Sequence, residues 1–335
     1  MEAANQLGGS PLLFLNSLKE QPLDTRKPAV IGVGATGAAL AAAVLKVIPE
    51  ALLVVTRKES RETLLTEGIC VTGALDFRIT PKNVAVSIEE LGSYEPDLVY
   101  ICTKTFHLKN VVEKLALLPK QNFAAVSCHN GLGTEDLLAG ALGPDRALRM
   151  TLNYGAASSV TGKAACAFFN SPNYLGALTP RGAEAAGMAA DLLTRGGLAT
   201  EQVEDIRSYV WRKMVMKCSM ANICAVTDMT IRDALRFKPT REIAFGCFGE
   251  AVAVAKAQGF DLGEGYVEKA VAYIEEVGVH KDSMCHDLAA GRPTEIDFLG
   301  AKIIEYAKAA GIPVPYYSVM TNLVRALEKK PVAHP

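Results

Sequence analysis

The feature that most constrains how this chain folds is a glycine-rich stretch at residues 28–46, PAVIGVGATGAALAAAVLK. Its first residues form a short apolar run of the kind that a buried parallel strand shows, and its alanine-rich end favours a helix. Strand and helix are joined by three glycines in the spacing G-x-G-x-x-G. The stretch therefore predicts a strand, a tight turn and a helix, in that order.

The glycine spacing has a physical meaning when a strand precedes it and a helix follows. The first glycine permits the turn, the second lets the backbone approach a pyrophosphate, and the third lets helix and strand pack closely. We therefore predict a dinucleotide site at this turn; the alternative is a glycine-rich turn without a ligand. The residues expected to contact the cofactor here are Gly32, Gly34, Ala35, Thr36 and Gly37.

Strand-like and helix-like segments alternate after this stretch, which predicts a doubly wound parallel sheet. The strand-like segments, which are apolar and β-branched, cover residues 52–56, 98–102 and 123–127. The helix-like segments, which have a helical period, include residues 107–118 and 134–142. Strand-like pieces at 148–154, 163–168 and 174–178 are expected to extend this sheet as hairpins. A helix at 183–195 and a last strand at 199–203 follow.

Beyond residue 204 every segment has the length and period of a helix. The predicted helices cover residues 205–227, 230–237, 240–258, 263–277, 281–290, 295–310 and 316–329. We therefore predict an α/β, Rossmann-type domain at residues 28–204 and an all-α domain at 205–330. Residues 1–27 are expected to form an extension that is partly ordered at most.

Charge and cysteine usage narrow the range of partners. The formal net charge is −1 without a long run of one sign, so neither nucleic acid nor a membrane surface is expected as a partner. No signal peptide or membrane-spanning stretch is evident, so we expect a cytoplasmic protein that acts on a small molecule. The eight cysteines lack a C-x-x-C pair and fit reduced thiols. No metal is expected, because the cluster of His280, Cys285, His286 and Asp287 matches no zinc spacing.

The end of the second predicted strand indicates which dinucleotide binds. A carboxylate there bonds the ribose hydroxyls of NAD, whereas the 2′-phosphate of NADP requires positive charge. The strand ends in VVT and is followed by Arg57 and Lys58, without an acidic residue at the deciding place. The sequence therefore favours NADPH over NADH. The alternative is that Arg57 and Lys58 form a solvated basic turn that binds no phosphate. Glu59, just beyond them, is an acidic residue and counts against NADPH.

Two lysines lie one turn apart on the helix predicted at residues 205–227. Lys213 and Lys217 share a face with apolar residues and lie opposite a second apolar face, so the helix is expected to be buried. Burial and the neighbouring lysine both lower the pKa of Lys213, which suits a proton donor near neutral pH. The alternative is that both side chains extend to water from a surface helix.

Ser283 and Glu295 form a second polar cluster. Thr294 stands at an expected helix N-cap with Asp297 as its capping-box partner, which would place Glu295 in the first turn of the helix. The helix dipole favours an ionised carboxylate there. The sequence alone therefore favours a helix-stabilising role for Glu295 over a role in a site.

Taken together, these residues resemble the ketopantoate reductase family, whose members use NADPH to reduce 2-dehydropantoate to (R)-pantoate on the way to pantothenate and coenzyme A. The resemblance covers residues 28–329. It implies a Rossmann domain followed by an all-α domain like that of 6-phosphogluconate dehydrogenase, with the active site between them. The motifs are Gly32-Val-Gly-Ala-Thr-Gly37, Cys102-Thr-Lys104-Thr, His129-Asn130-Gly-Leu-Gly133, Trp211-Arg-Lys213, Asp282-Ser283-Met and Thr294-Glu295-Ile-Asp297.

The resemblance implies a place for three residues around the cofactor. Arg57 would bind the 2′-phosphate of NADPH, and Lys104 would lie near the nicotinamide ribose. Asn130 would lie between the nicotinamide and the substrate.

It also implies roles in the reaction. Lys213 would be the general acid that protonates the substrate carbonyl oxygen as hydride arrives, and Glu295 would bond the hydroxyl that forms. Ser283 would help to hold the substrate carboxylate. A developing alkoxide needs a proton and a nearby positive charge, which a buried lysine provides.

The chain departs from the family on the substrate side. The family commonly has asparagines one and two turns after the general acid, where this chain has Lys217 and Ala221. Asn222 projects about 180 degrees away from Lys213, so it would replace a missing amide at the substrate only in a kinked or bulged helix. A cation in place of an amide, at Lys217, favours a substrate with an extra anionic or acceptor group.

Three functions therefore remain open. The leading one is the NADPH-dependent reduction of 2-dehydropantoate, and the second is reduction of a different branched or more anionic 2-oxo acid. The third is a non-catalytic NADPH sensor, against which the presence of Lys213 and Glu295 counts. The Ala- and Met-rich helices of the second domain could form a homodimer interface.

Overall fold

The strands lie in the first part of the chain, as the alternating pattern predicted. The structure, a computed structural model, describes residues 26–329. Within them the strands are β1 (Pro28–Ile31), β2 (Leu52–Val54), β3 (Ile69–Gly73), β4 (Phe77–Ile79), β5 (Asn83–Ala85), β6 (Leu98–Ile101), β7 (Ala124–Ser127), β8 (Ala147–Thr151), β9 (Tyr154–Val160), β10 (Lys163–Phe169), β11 (Asn173–Ala177) and β12 (Thr200–Gln202).

Eight of these strands form one sheet in the order β12-β11-β8-β7-β6-β1-β2-β5. All neighbours from β5 to β8 are parallel, and β11 is antiparallel to β8. The predicted doubly wound parallel sheet is confirmed. The strand order reverses at β1, which has β2 on one side and β6 on the other, so the crevice for a ligand lies at the carboxyl ends of β1 and β6.

The hairpin of β9 and β10 does not extend this sheet, so the prediction for residues 163–168 was wrong in its placement. These strands join β3 and β4 in a second sheet, in which β10 runs parallel to β3. The edge beside β8 is already filled by β11. Ala164 and Cys166 of β10 face the buried core, while Ala165 and Ala167 are exposed and line a cavity, so the hairpin forms a wall between the core and this cavity.

Helices connect the strands of this part. They are α1 (Ala35–Val47), α2 (Lys58–Glu67), α3 (Leu91–Tyr94), α4 (Leu108–Ala116), α5 (Thr134–Leu142) and α6 (Ala183–Arg195). Helix α1 is buried throughout residues 37–45, because its alanines allow close packing against strands of both sheets. Strands β3, β4 and β5 and helices α2 and α3 are short, and the hydrophobic period did not predict them.

The second part is all-helical in the described residues, as predicted. Its helices are α7 (Ile206–Thr227), α8 (Ile231–Arg236), α9 (Lys238–Ala257), α10 (Tyr266–Val277), α11 (Ser283–Ala289), α12 (Gly300–Ala310) and α13 (Pro315–Glu328). Helix α7 is the central one and packs against α9, α11, α13 and β8. Strand β12 ends at Gln202 and α7 begins at Ile206, but the proposed boundary at residue 204 remains a prediction.

Two further findings concern the chain as a whole. The predicted extension, residues 1–27, lies almost entirely outside the described residues. Among residues 26–329, no helix has both the length and the apolar character needed to cross a membrane.

Candidate active site

A cavity of about 1220 Å³ lies at the carboxyl ends of the parallel strands, where the two parts of the chain meet. The glycine turn after β1 and the residues after β2, β6 and β7 line one side of it. Helix α7 and the segment before α11 line the other. The cavity thus occupies the switch point of the sheet, where the fold places ligands.

The glycine turn has the geometry that the spacing predicted. Gly32 has a φ of +94°, and a Cβ on Gly37 would lie only 2.0 Å from the carbonyl oxygen of Gly32. A Cβ on Gly34 would have no protein atom within 4 Å, so the backbone is open to the cavity at this residue. Helix α1 begins at Ala35 without an acidic residue in its first turn. This turn fits a dinucleotide pyrophosphate, because free backbone N–H groups and the positive helix end favour an anion.

Arg57 lies at the rim of the cavity, directly before α2. Its side chain is exposed and has no hydrogen bond or ion pair within residues 26–329. Glu59, the carboxylate nearest in sequence, does not line the cavity. The guanidinium therefore remains available for a phosphate, which it can bind through two parallel N–H donors.

Lys213 extends from α7 to the loop that follows β7. Its Nζ donates to Asn130 Oδ1 at 2.7 Å and to the carbonyl oxygen of Leu152. Burial, followed by the positive charges of Arg149 and Lys217, lowers the pKa of Lys213 from 10.5 to about 7. The depressed pKa and the contribution of Lys217 agree with the sequence prediction.

The hydrogen bonds of Lys213 limit where its proton can go. A neutral amine has two N–H donors, and within the described part of the chain its Nζ has two acceptors, Asn130 and Leu152. The charged ammonium has a third N–H. That third proton is the transferable one, because the amine left behind has both of its N–H groups paired.

Lys217 lies one turn further along α7 and is paired, which the sequence did not predict. Its Nζ is 2.5 Å from Asp282 Oδ2 and 3.0 Å from Ser283 Oγ. Burial alone would lower the pKa of Lys217, but the charge and hydrogen bond of Asp282 outweigh burial, and the pKa ends above its ordinary value. Burial would raise the pKa of the Asp282 carboxyl, but the charge and hydrogen bond of Lys217 lower it more, so this pKa lies below its ordinary value. Both groups therefore stay ionised. A lysine on a buried helix face needs a counter-ion. The predicted burial of the helix could therefore have indicated that Lys217 has an acidic partner.

Asp282 also fixes the position of Ser283. It is the N-cap of α11, and its Oδ1 accepts from the backbone N–H of Met284 at 2.9 Å. Ser283 is thereby the first residue of the helix, with an exposed position at the cavity. The structure therefore brings Ser283 and Lys217 together at the end of the cavity near Lys213.

Glu295 contacts the first part of the chain rather than capping a helix. Its Oε1 accepts from the backbone N–H of Thr105 at 2.9 Å, and its Oε2 lies 3.6 Å from Lys104 Nζ. Lys104 Nζ also donates to Asp287 Oδ2 at 2.7 Å. The side chain of Glu295 is 15% exposed and lines the cavity.

The predicted capping box at Thr294 was wrong. A single 3-10 turn, Ile296–Phe298, follows Glu295, and α12 begins only at Gly300. Asp297 pairs with Arg325 at 2.7 Å instead of capping a helix. This ion pair to α13 takes the carboxylate away from the helix start, so tertiary contacts override the local motif.

Asn222 does not reach the cavity. It is fully buried, and its Nδ2 donates to Thr321 Oγ1 at 3.3 Å on the side of α7 away from Lys213. Helix α7 runs without interruption past this residue, so the kink that a substrate contact required is absent. The assignment of Asn222 as a substrate-binding residue is therefore corrected.

The end of the cavity near Lys213 also has residues to which the sequence assigned no role in this site. His280 contacts the ring of Phe168 at a centroid distance of 5.0 Å, and burial lowers its pKa. Met216, Met220 and Ile231 supply apolar surface. Ile231 and Phe168 come from α8 and β10, and tertiary packing brings them to this end of the cavity, so the sequence carried no local signal for them.

The fold and sequence of known proteins match this chain over nearly its whole described length. The family model described as "Ketopantoate reductase PanE/ApbA" matches residues 29–180, and "Ketopantoate reductase PanE/ApbA C terminal" matches residues 205–328. A 2-dehydropantoate 2-reductase of Streptococcus pyogenes is 26% identical over 304 residues, which cover 89% of this chain and 97% of the relative. One of Archaeoglobus fulgidus is 26% identical over 302 residues, with the same coverage.

Solved structures share the fold. The 2-dehydropantoate 2-reductase of Geobacter metallireducens has a TM-score of 0.82 at 24% identity and covers 90% of this chain and 99% of its own. A D-mandelate dehydrogenase solved with NADH and anilino(oxo)acetate has a TM-score of 0.80 at 22% identity and covers 90% and 98%. Because the two family models together match most of the chain, it belongs to the ketopantoate reductase family and is an oxidoreductase that acts on a carbonyl or hydroxyl group.

Proposed function

We propose that the protein reduces the carbonyl group of a 2-oxo acid with NADPH, with 2-dehydropantoate as the leading substrate and (R)-pantoate as its product. The observation that carries this proposal is the position of Lys213. Its side chain lines the same cavity as the glycine turn and Ser283, and its pKa is about 7. A group with that pKa is a proton donor matched to neutral pH.

NADPH, when bound, supplies the hydride. The residues that line the cavity would bind and orient the NADPH molecule. The turn from Gly32 to Gly37 and the N-terminus of α1 would hold the pyrophosphate. Arg57, which has no partner among the described residues, would bind the 2′-phosphate. Lys104 would lie at the nicotinamide ribose, and Asn130 would lie beside the nicotinamide. These assignments rest on the family resemblance and on the shared cavity.

The proton is the part of the reaction that the chain itself supplies. Hydride adds to the carbonyl carbon, the C=O π bond breaks, and the oxygen takes the third proton of Lys213, which becomes a neutral amine. Glu295 would accept a hydrogen bond from the hydroxyl that forms. Ser283, with the remaining N–H of Lys217, would hold the substrate carboxylate.

The choice of substrate depends on Lys217. As an isolated cation it would favour a more anionic 2-oxo acid, but its pairing with Asp282 cancels most of that charge. The apolar residues Met216, Met220 and Ile231 instead leave room for a branched or aromatic side chain. A different branched 2-oxo acid is therefore the better-supported alternative to 2-dehydropantoate.

A substrate panel with NADPH and NADH in parallel tests the proposal. We expect wild type to turn over 2-dehydropantoate with a preference for NADPH. In Lys213→Met, kcat should fall by about 10²- to 10⁴-fold. In Arg57→Ala, the KM for NADPH should rise, while the KM for NADH should not. Turnover of 4-methyl-2-oxopentanoate or phenylglyoxylate, but not of 2-dehydropantoate, would favour the alternative substrate. Turnover of 2-oxoglutarate would favour the more anionic one. Tight NADPH binding without turnover of any 2-oxo acid would favour a sensor.

We propose a cytoplasmic protein that forms a homodimer through α13, on which the exposed residues Tyr316, Val319 and Leu323 share one face. Light scattering of the full chain tests this: we expect a dimer that dissociates when Val319 is replaced by Glu. A monomer at micromolar concentration contradicts it.

A further inference from the structure

Arg149 is a fully buried arginine beneath the loop that carries Asn130. It lies on β8, and none of its surface is exposed. Its NH1 donates to the carbonyl oxygens of Ser127 at 3.1 Å and His129 at 2.7 Å, and its NH2 donates to that of Gly131 at 2.9 Å. Five N–H donors in a fixed fork suit such a set of carbonyl acceptors. The guanidinium thus holds the backbone on both sides of Asn130.

Glu135 is the counter-ion of this arginine. Its Oε2 lies 3.2 Å from Arg149 Nε, and its side chain is 7% exposed in the first turn of α5. Burial lowers the pKa of Arg149, whereas Glu135 raises it. Arginine starts so far above neutral pH that it remains charged. A full positive charge is therefore fixed inside the molecule next to the candidate site.

Lys213 and Arg149 bind the same loop from two sides. Lys213 holds the side chain of Asn130, and Arg149 holds the carbonyl groups of His129 and Gly131. The second acceptor of Lys213, the carbonyl oxygen of Leu152, lies three residues after Arg149 in the chain. The arginine is therefore linked to both acceptors of the lysine amine, to Asn130 through its hydrogen bonds and to Leu152 through the backbone.

We propose that Arg149 is a positioning residue for proton transfer: its guanidinium fixes the loop around Asn130, and its buried charge disfavours a second positive charge on Lys213. This inference rests on the proposed function, because it assigns the proton donor to Lys213. The lowered pKa of Lys213, to which Arg149 contributes after burial, supports it. Burial and the charge of Arg149 also lower the pKa of His129 to about 3, so this histidine is neutral at pH 7. The loop therefore contains no second proton donor that competes with Lys213.

Other charged groups near Lys213 set the background for this effect. Lys217 acts in the same direction as Arg149, but Asp282 offsets its charge. Other titratable groups line the cavity from several elements, among them Lys104, His129, Tyr154, Tyr209, Arg212, Tyr273, His280, Lys281, His286 and Glu295. Glu135 on α5 is not part of the lining and acts through its ion pair with Arg149. The charge of Glu135 offsets that of Arg149, and the charge of Asp282 offsets that of Lys217. The effect of each cation on the pKa of Lys213 can therefore be tested by changing the cation together with its carboxylate partner.

Three variants of the full chain separate charge from position. Glu135→Gln exposes Lys213 to the uncompensated charge of Arg149, so the pKa of Lys213 should fall. The double variant Arg149→Met with Glu135→Gln removes both charges, so that pKa should rise. Arg149→Lys keeps the charge but loses the fork of contacts, so kcat should fall by about 10- to 100-fold with little change in the pKa.

The pKa of Lys213 is measured directly by NMR of ¹³C-labelled lysine, assigned with Lys213→Met, and compared with the pH dependence of kcat/KM. The NMR titration needs no turnover, so failure of this inference is distinct from failure of the proposed function. A pKa of Lys213 that is the same in wild type, Glu135→Gln and the double variant overturns the electrostatic part. A kcat within about twofold of wild type in Arg149→Lys overturns the positioning part. If the double variant does not fold, Glu135→Gln and Arg149→Lys still decide both parts.

Discussion

Lys213 combines two properties that oppose each other. It lies where a cation is costly, because burial and two neighbouring cations lower its pKa from 10.5 to about 7. The same environment makes it a proton donor at neutral pH. A residue of this kind is expected to lower the stability of the fold in exchange for activity.

We therefore expect Lys213→Met to raise the Tm while activity is lost. Below pH 7 the lysine is charged in both the folded and the unfolded chain, so the full cost of burying the charge is present. Between pH 7 and 10.5 the folded chain has released the proton and the unfolded chain has not, so the cost falls as pH rises. Above 10.5 it is absent.

The measurement is the difference in Tm between Lys213→Met and wild type across pH 6 to 10, by calorimetry. The difference should be largest at the lowest pH and should shrink toward the highest. A variant that is less stable than wild type at pH 6 contradicts the prediction. Lys109→Met, at an exposed ion pair with Glu113, is the matched control and should show no such trend.

Lys217 and Asp282 form the second interaction that we expect to govern the site. Asp282→Asn leaves a buried cation without its partner, so the free energy of unfolding should fall by about 3 kcal/mol. In the double variant with Lys217→Asn, both charges are gone and most of that loss should be recovered. Urea unfolding of wild type, both single variants and the double variant measures this as a cycle. A loss in the double variant equal to the sum of the two single losses would show that the pair is not coupled.

At the level of elements, the sequence predicted those features whose cause is local. The turn around Gly32 follows from the spacing of three glycines and the helix-forming run after them. The second sheet could not be predicted in this way, because Lys163 of β10 pairs with Cys70 of β3, far away in the chain. Likewise Asp297 met the local rule for a capping box, but its ion pair with Arg325 decided its place.

The glycine turn gives a prediction with an internal control. Gly34→Ala places a methyl group in open space, so the fold should be kept while the KM for NADPH rises by about 10- to 100-fold. Gly37→Ala places a methyl group 2.0 Å from the carbonyl oxygen of Gly32, so it should lower the stability of the fold by about 3 kcal/mol or more. Steady-state kinetics and thermal unfolding of both variants test this. Similar NADPH affinities for Gly34→Ala and wild type would argue against a pyrophosphate at this turn.

For the molecule as a whole, the candidate site exists only where the two parts of the chain meet. Asn130 and Lys104 belong to the first part, and Lys213 and Glu295 to the second. The pattern of the helix pointed to Lys213, and the family resemblance implied the other three, but their mutual contacts follow from the packing of the parts. The pairing of Arg149 with Glu135 could not be predicted either, because an arginine within a strand gives no sign of its burial.

Lys104 is the charged residue of the first part that reaches across to two carboxylates of the second, Asp287 and Glu295. Under the proposed function, Lys104→Met should raise the KM for NADPH by about 3- to 10-fold, since the variant would lack the hydrogen bond proposed between Lys104 and the ribose. The Tm should change little, because the Lys104 side chain is 40% exposed and the buried Asp287 keeps its ion pair with Arg292 at 3.0 Å. Kinetics with varied NADPH and a thermal scan test both statements, with Lys114→Met, which breaks an exposed pair with Glu89, as control. An unchanged KM would place Lys104 outside the cofactor contacts.

The two acceptors of Lys213 have a stereochemical consequence. Asn130 and Leu152 fix the amine, so its third proton points in one direction from α7. The glycine turn, which would hold the hydride donor, belongs to a different wall of the cavity. Under the proposed function, hydride and proton therefore reach a flat carbonyl group from fixed and different directions. Whichever 2-oxo acid fills the cavity, only one of its two faces is attacked, and the hydroxy acid that leaves has a single handedness.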